Sequence, residues 1–229
     1  MKIFCHLGNR VPDYRGIMKD HTDFMVGNKK IPASRVVIAE QTHSDQAHIC
    51  TEADCGAGFH DHPQIATADA LITDIPGQYL LIRTADCTPI LLHDRKGSLV
   101  AAIHSGREGT RKNIAGKTVK AIADNFGIYP EDLKAWIGAG ICQRHYEVDA
   151  ATWDAFSASL QDQGIEPDMS LPRHIDIPGC IFQQLTAAGI PSCNIGWEQI
   201  CTFESPLHFS WRRDATNNRQ INLIGLEYE

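Results

Sequence analysis

His43, Cys87 and His104 stand out among the eleven histidines and eight cysteines of this 229-residue chain because each closes a strongly apolar run. His43 ends VVIAEQTH, Cys87 ends YLLIRTADC and His104 ends SLVAAIH, while a fourth run, AWIGAGIC, reaches Cys142. Residues just past strand ends collect along a sheet edge, where a rigid frame holds loop side chains in place. Two imidazoles and a thiolate gathered there suit zinc, and three protein ligands leave a fourth tetrahedral position for water or substrate. Zinc lowers the pKa of such a water toward about 7 and polarises an electrophile. Asp86, adjacent to Cys87, is placed to orient a ligand or relay a proton. Spacing alone favours a plainer account, in which Cys87 packs as a small apolar group and the histidines bond backbone carbonyls.

Other chemistry-bearing residues form weaker patterns. Cys50 and Cys55, with His48, His60 and His62, are irregularly spaced in a glycine-rich stretch and read as a chance grouping. In HFSWRRD, Arg212 and Arg213 stand beside aromatic residues, where a guanidinium can fork onto phosphate or stack on a base. Gly138 and Gly140 allow close backbone approach, but WIGAGIC satisfies neither a dinucleotide fingerprint nor a P-loop.

The elements that must position these residues are legible as periodicities. Apolar runs at 36–39, 79–82, 90–92, 99–103 and 135–137 read as strands with at least one buried face. Asp94-Arg95-Lys96-Gly97 supplies a hairpin turn between the third and fourth. Ile114, Ala115, Val119, Ile122 and Phe126 follow a helical period closed by Gly127. A second helix starts after Asp149 with Trp153, Phe156 and Leu160 on one face, and a third runs from Ile177 to Gly189. No linker divides the chain. The expected architecture is an α/β fold, a single domain over 1–229 with a central mixed β-sheet packed by helices, and not a regular βαβ barrel.

A net charge of -7 argues against electrostatic binding to nucleic acid or an anionic membrane, so the expected partner is a small molecule. No apolar run approaches the roughly 20 residues needed to cross a bilayer. The start, MKIFCHLGNRVPDYRG, lacks the pattern of a secretion signal, which makes the cytoplasm the expected location and reduced thiols the expected state of the cysteines.

QTH (41–43), DALITD (69–74), TADCTPILL (84–92), HSGREGT (104–110), IGAGICQRHYEV (137–148), CTF (201–203) and FSWRRD with RQ (209–220) form an ordered set. Together they resemble the laccase-domain family, once called polyphenol oxidases and described as purine nucleoside phosphorylases and, for some members, peptidoglycan-editing factors. The resemblance implies an α/β fold with a mixed sheet, a cytoplasmic location, and a zinc site at His43, Cys87 and His104. It implies phosphorolysis of adenosine, inosine, guanosine and methylthioadenosine, together with adenosine deamination. Phosphorolysis needs cations beside the metal to place phosphate, and Arg107 and Arg213 are the expected substrate-binding residues.

The chain departs from the family pattern at several points. Where the family usually has His-Ala-Gly-Trp-Arg-Gly, it reads His104-Ser105-Gly106-Arg107-Glu108-Gly109, putting a carboxylate at the place of an arginine. A carboxylate facing the cavity would repel an anion. The family's cysteine before Tyr-Glu-Val is replaced by Arg144-His145, and Cys142 is displaced relative to it. Three other readings compete with the zinc phosphorylase. One is an amide hydrolase, such as a peptidoglycan-editing factor, using either Cys87 with His104 or zinc. A copper polyphenol oxidase ranks lower, because these residues make one mononuclear site. The third is an interaction protein whose structural zinc is closed by Cys142.

Overall fold

Tyr79–Thr84 alternates its buried side chains between two different cores, and that alternation sets the layering of the molecule. The computed structural model describes residues 1–10, 22–166, 168 and 170–228. In this strand, Leu80 and Ile82 join one apolar cluster while Tyr79 and Leu81 join another. Both faces are covered, as the near-continuous apolar run requires.

The strands in chain order are β1 (Lys2–His6), β2 (Phe24–Val26), β3 (Lys29–Ile31), β4 (Val36–Ile38), β5 (Ala47–Ile49), β6 (Ala70–Thr73), β7 (Tyr79–Thr84), β8 (Thr88–Asp94), β9 (Val100–Ser105), β10 (Leu133–Ile137), β11 (Ile195–Trp197) and β12 (Gln220–Glu227). They form a mixed four-stranded sheet, β1-β12-β7-β4, and a mixed six-stranded sheet, β11-β10-β8-β9-β6-β5. The two sheets face each other across Leu80, Ile82, Ile224 and Leu226 on one side and Leu71, Leu91, Val100 and Ala102 on the other. The hairpin of β2 and β3 covers the outer face of the smaller sheet through Phe24, Val26 and Ile31. The helices lie against the outer face of the larger sheet.

Those helices are α1 (Arg107–Arg111), α2 (Ile114–Phe126), α3 (Ala150–Asp162) and α4 (Ile177–Ala187); a short α5 (Trp211–Asp214) lies apart from them, beside Asp86. Asn113, itself left-handed at φ 60°, caps α2 by accepting from the Gly116 amide, and Gly127 ends that helix at φ 65°. Asp149 accepts from the Thr152 amide at 2.8 Å, which starts α3 where the sequence places it. Ile114, Val119 and Ile122 of α2, Phe156 of α3 and Ile181 of α4 bury against Ile72, Ile90, Ala101 and Ile103 of the sheet.

The β8–β9 hairpin forms as expected from its turn. Gly97 sits at φ 67°, and the Asp94 carboxylate accepts from the Ser98 and Leu99 amides at 2.6 and 2.9 Å. The mixed α/β class is as read from the sequence. The single central sheet is in fact two, because β12, whose eight residues were not read as a strand, pairs with both β1 and β7 to build the second layer.

Candidate metal centre

Strand register explains why residues far apart in sequence meet. In the β8–β9 hairpin, Pro89 pairs with His104 and Thr88 with Ser105, so Cys87, one residue before β8, arrives beside the end of β9. On the other flank of β9, Ala70 of β6 pairs with Ile103, and the His104 amide donates to the Asp69 carbonyl at 2.7 Å. β4 runs parallel to β7 in the smaller sheet. Beyond it, the Gln41 side chain brackets Arg83, donating to its carbonyl at 2.8 Å and accepting from its amide at 2.9 Å. The chain then turns at His43, whose φ of 59° is left-handed, and crosses from one sheet to the other.

Asp69 holds that crossing in place. Its carboxylate accepts from the amides of Thr42, His43 and Ser44 at 3.1, 3.1 and 2.6 Å and from the Ser44 hydroxyl at 2.7 Å. One of its oxygens also lies 2.7 Å from His104 Nδ1. With Nδ1 bonded to a carboxylate, His104 presents Nε2 as its free ligand atom. The sequence reading quoted DALITD without giving Asp69 a role. Its signal, an acidic residue immediately before an apolar strand, is too common to single out.

His43, Cys87 and His104 are thereby brought together, with one potential ligand atom from each lying within 4.8 Å of the others. Zn–S and Zn–N bonds of about 2.3 and 2.1 Å meeting at a tetrahedral angle separate sulfur from nitrogen by about 3.6 Å. Cys87 Sγ lies 3.6 Å from His43 Nε2, and the two imidazole rings stand edge to face at 5.0 Å between centroids. Gly106 leaves the room this grouping needs: a Cβ there would stand 2.7 Å from Cys87 Sγ and 3.0 Å from His43 Cδ2. The donor set, its spacing and its carboxylate-held histidine fit a zinc ion. Without metal the same groups form an ion pair. Burial pushes the Cys87 thiol up, but the charge and hydrogen bonds of His104, with those of His43, bring it down to about 6. Burial pulls His104 down, yet Cys87 and Asp69 raise it to about 9.

The cluster opens into a cavity of about 640 Å³ whose walls carry Arg83, Arg107, Arg212 and Arg219 together with Tyr146 and Trp211. Arg212 lies over the Tyr146 ring at 5.0 Å. Burial lowers the pKa of Arg83, and the proximity of Arg219 lowers it further. Glu108, expected to repel an anion, is not on the wall. It pairs with Arg111 at 2.9 Å and Arg107 at 3.2 Å, and Arg107 still lines the cavity.

Three placements depart from the sequence reading. Arg213 does not line the cavity. Its guanidinium donates to the carbonyls of Thr202, Phe203, Ser205 and His208 at 2.8–3.0 Å and pairs with Asp214, so the neighbouring Arg212 takes the facing position. Adjacent residues of a short helix point about 100° apart, which is why only one of the pair can face inward. Asp86 touches no ligand. Its carboxylate accepts from the Thr202 hydroxyl at 2.6 Å and the Arg212 amide at 2.7 Å, tying the cysteine loop to α5. Cys142 is not a fourth member of the cluster. It lies with His145, Cys201 and Glu204 in a separate group.

The grouping of His48 with Cys50 and Asp54 has a structural explanation. Asp54 accepts from the Thr51 amide at 2.6 Å to close a capping box and from His48 at 3.1 Å, while burial pushes the Cys50 thiol up to about 12.

Comparison with known proteins places the chain in a family. Residues 4–227 match the family model described as multi-copper polyphenol oxidoreductase laccase. The chain belongs to that family. Its relatives include a purine nucleoside phosphorylase of Bacteroides thetaiotaomicron, 33% identical over 191 residues, covering 82% of this chain and 70% of that protein. Another, from Corynebacterium glutamicum, is 30% identical and covers 98% of this chain and 87% of that protein. Among solved structures, YlmD of Geobacillus stearothermophilus superposes with a TM-score of 0.79 at 32% identity, covering 86% of this chain and 76% of that one. YfiH of Bacillus licheniformis superposes with a TM-score of 0.75 at 30% identity, covering 85% and 75%. This is an enzyme family, and relatives named purine nucleoside phosphorylase act, by that name, on nucleosides and phosphate. No helix among the described residues is long and apolar enough to cross a membrane.

Proposed function

We propose that residues 1–229 form a single catalytic domain, a zinc-dependent purine nucleoside phosphorylase located in the cytoplasm, with adenosine deamination as a second activity. The observation that carries this reading is the junction of a His43–Cys87–His104 cluster with an arginine-lined, aromatic-walled cavity. In phosphorolysis a phosphate oxygen forms a bond to C1′ of the ribose as the bond from C1′ to the purine nitrogen breaks, giving free base and ribose 1-phosphate. Arg212 and Arg107 supply cationic donors for the phosphate, and Arg83 and Arg219 add positive potential behind them. Trp211, exposed on the cavity wall, offers a flat face for the purine. Asp69 fixes the ring orientation of His104. His43, Cys87 and His104 would hold zinc, which when bound would supply Lewis-acid chemistry toward a substrate oxygen or water. The same donors accept copper, and metal analysis of the purified protein distinguishes the two. Zinc-loaded protein with phosphate should release hypoxanthine from inosine and convert adenosine to inosine or adenine. Failure of all these conversions overturns the reading.

A second reading, a cysteine amide hydrolase, rests on the Cys87 thiol, held at about 6 by His104 against the raising effect of burial. It requires that metal-free protein be the active form and that alkylation of Cys87 abolish turnover.

A further inference from the structure

Cys142-Gln143-Arg144-His145 and Cys201-Thr202-Phe203-Glu204 are two turns that each place a metal-ligating pair three residues apart. They face each other. Gly140 bridges Cys201, its amide donating to the Ile200 carbonyl at 3.2 Å while its carbonyl accepts from Thr202 at 3.0 Å. Gln143–His145 is a 3-10 turn with Cys142 as its cap, which brings Cys142 and His145 to the same side. In the other turn the Ser205 amide closes onto the Cys201 carbonyl at 2.9 Å.

Ligand atoms from all four residues lie within 4.8 Å of one another. His145 Nδ1 stands 3.3 Å from Cys142 Sγ, 3.7 Å from Cys201 Sγ and 3.5 Å from Glu204 Oε1. A tetrahedral zinc separates sulfur from nitrogen by about 3.6 Å and nitrogen from oxygen by about 3.4 Å. The two sulfur distances bracket the first value, and the Glu204 distance lies close to the second. Phe203 stacks flat on His145 at 4.3 Å between centroids, holding the ring with Nδ1 toward the cysteines. Arg144 donates at 2.7 Å to the same Glu204 oxygen that faces His145, which fixes the carboxylate beside the cluster. Two thiolates and a carboxylate then balance a divalent ion and Arg144.

We infer that Cys142, His145, Cys201 and Glu204 form a second zinc site with four protein ligands, distinct from the His43–Cys87–His104 cluster and structural in kind. A closed tetrahedral set leaves no position for substrate. Its place supports this role, because it joins the turn between Ile141 and Tyr146, both on the cavity wall, to the turn whose Thr202 holds Asp86 beside Cys87.

The test is zinc titration of the full chain, prepared without oxygen and stripped with chelator, in a Cys87→Ser background that removes the thiolate of the first cluster. That chain should retain about one equivalent of zinc, and adding Cys142→Ser or Cys201→Ser should remove it. Cobalt in its place should show a sulfur-to-metal absorption band that either cysteine substitution weakens. Glu204 is exposed, so Glu204→Gln should leave the fold intact by circular dichroism while weakening zinc at least about tenfold. The site is overturned if the Cys87→Ser chain binds no zinc, if binding survives loss of both cysteines, or if Glu204→Gln leaves affinity unchanged. Finding Cys142 and Cys201 joined as a disulfide in zinc-treated protein overturns it as well.

Discussion

Asp69 and His104 are joined twice, backbone amide to backbone carbonyl and imidazole Nδ1 to carboxylate, each at 2.7 Å. The β6–β9 register makes the first bond, and the first bond positions the second. One buried carboxylate therefore sets the orientation of His104 while holding the amides of Thr42, His43 and Ser44.

Replacing Asp69 by Asn keeps the shape and removes the charge. Loss of the charged hydrogen bonds should cost about 1.5–3 kcal/mol in urea unfolding. Zinc affinity should fall about 10–100-fold, because neither the tautomer of His104 nor the loop of His43 is any longer fixed.

The same carboxylate links stability to pH. Burial pushes Asp69 up, but hydrogen bonds from His104 and Ser44 hold it down at about 2. A depressed folded-state value means that the stabilisation is fully present above the ordinary carboxylate value near 4 and is lost as pH falls from there through about 2. Urea midpoints measured across that window should fall more steeply for the native chain than for Asp69→Asn.

Cys87 should behave as a thiolate at neutral pH in metal-free protein. Burial opposes this, and His104 and His43 overcome it to leave the group at about 6. Iodoacetamide labelling should therefore rise with pH through about 6 and then level, with zinc suppressing it. A rate that climbs only near the ordinary thiol value of about 8.5 would contradict the ion pair.

Gly106 is required for space. Its φ of -89° suits any residue, but a Cβ would stand 2.7 Å from Cys87 Sγ. Gly106→Ala should cost about 1–3 kcal/mol by overpacking and abolish zinc binding at the first cluster, which metal analysis against a melting curve separates.

Arg212 and Arg213, neighbours in sequence, should fail differently. Arg213→Ala strips donors from four carbonyls and should lower Tm by several degrees, a loss of about 2 kcal/mol or more. Arg212→Ala should change stability by less than about 1 kcal/mol and raise KM for phosphate about tenfold.

Helix caps and the β8–β9 turn were legible because their signals are local. Asp149, Gly127 and Gly97 each satisfy a need created within a few residues of themselves. β6 and β12 were missed for the opposite reason: ALIT is only four residues long, QINLIGLE breaks its apolar run with Asn222 and Gly225, and their pairing partners β9 and β7 are fixed by the fold and not by local pattern. The match of Cys142 with Cys201 was hidden likewise, since a bridge between Gly140 and Cys201, not spacing, aligns the two turns.

By itself the amino-acid sequence determined that His43, Cys87 and His104 stand at the ends of buried runs, because alternation and apolar length report which residues must leave water. Tertiary structure alone decided that Asp69 ties the loop of His43 to His104, that Arg212 and not Arg213 faces the cavity, and that Cys142 has partners of its own. Burial is written in local pattern, whereas these contacts depend on which strands pair, in what register, and how two sheets lie against each other.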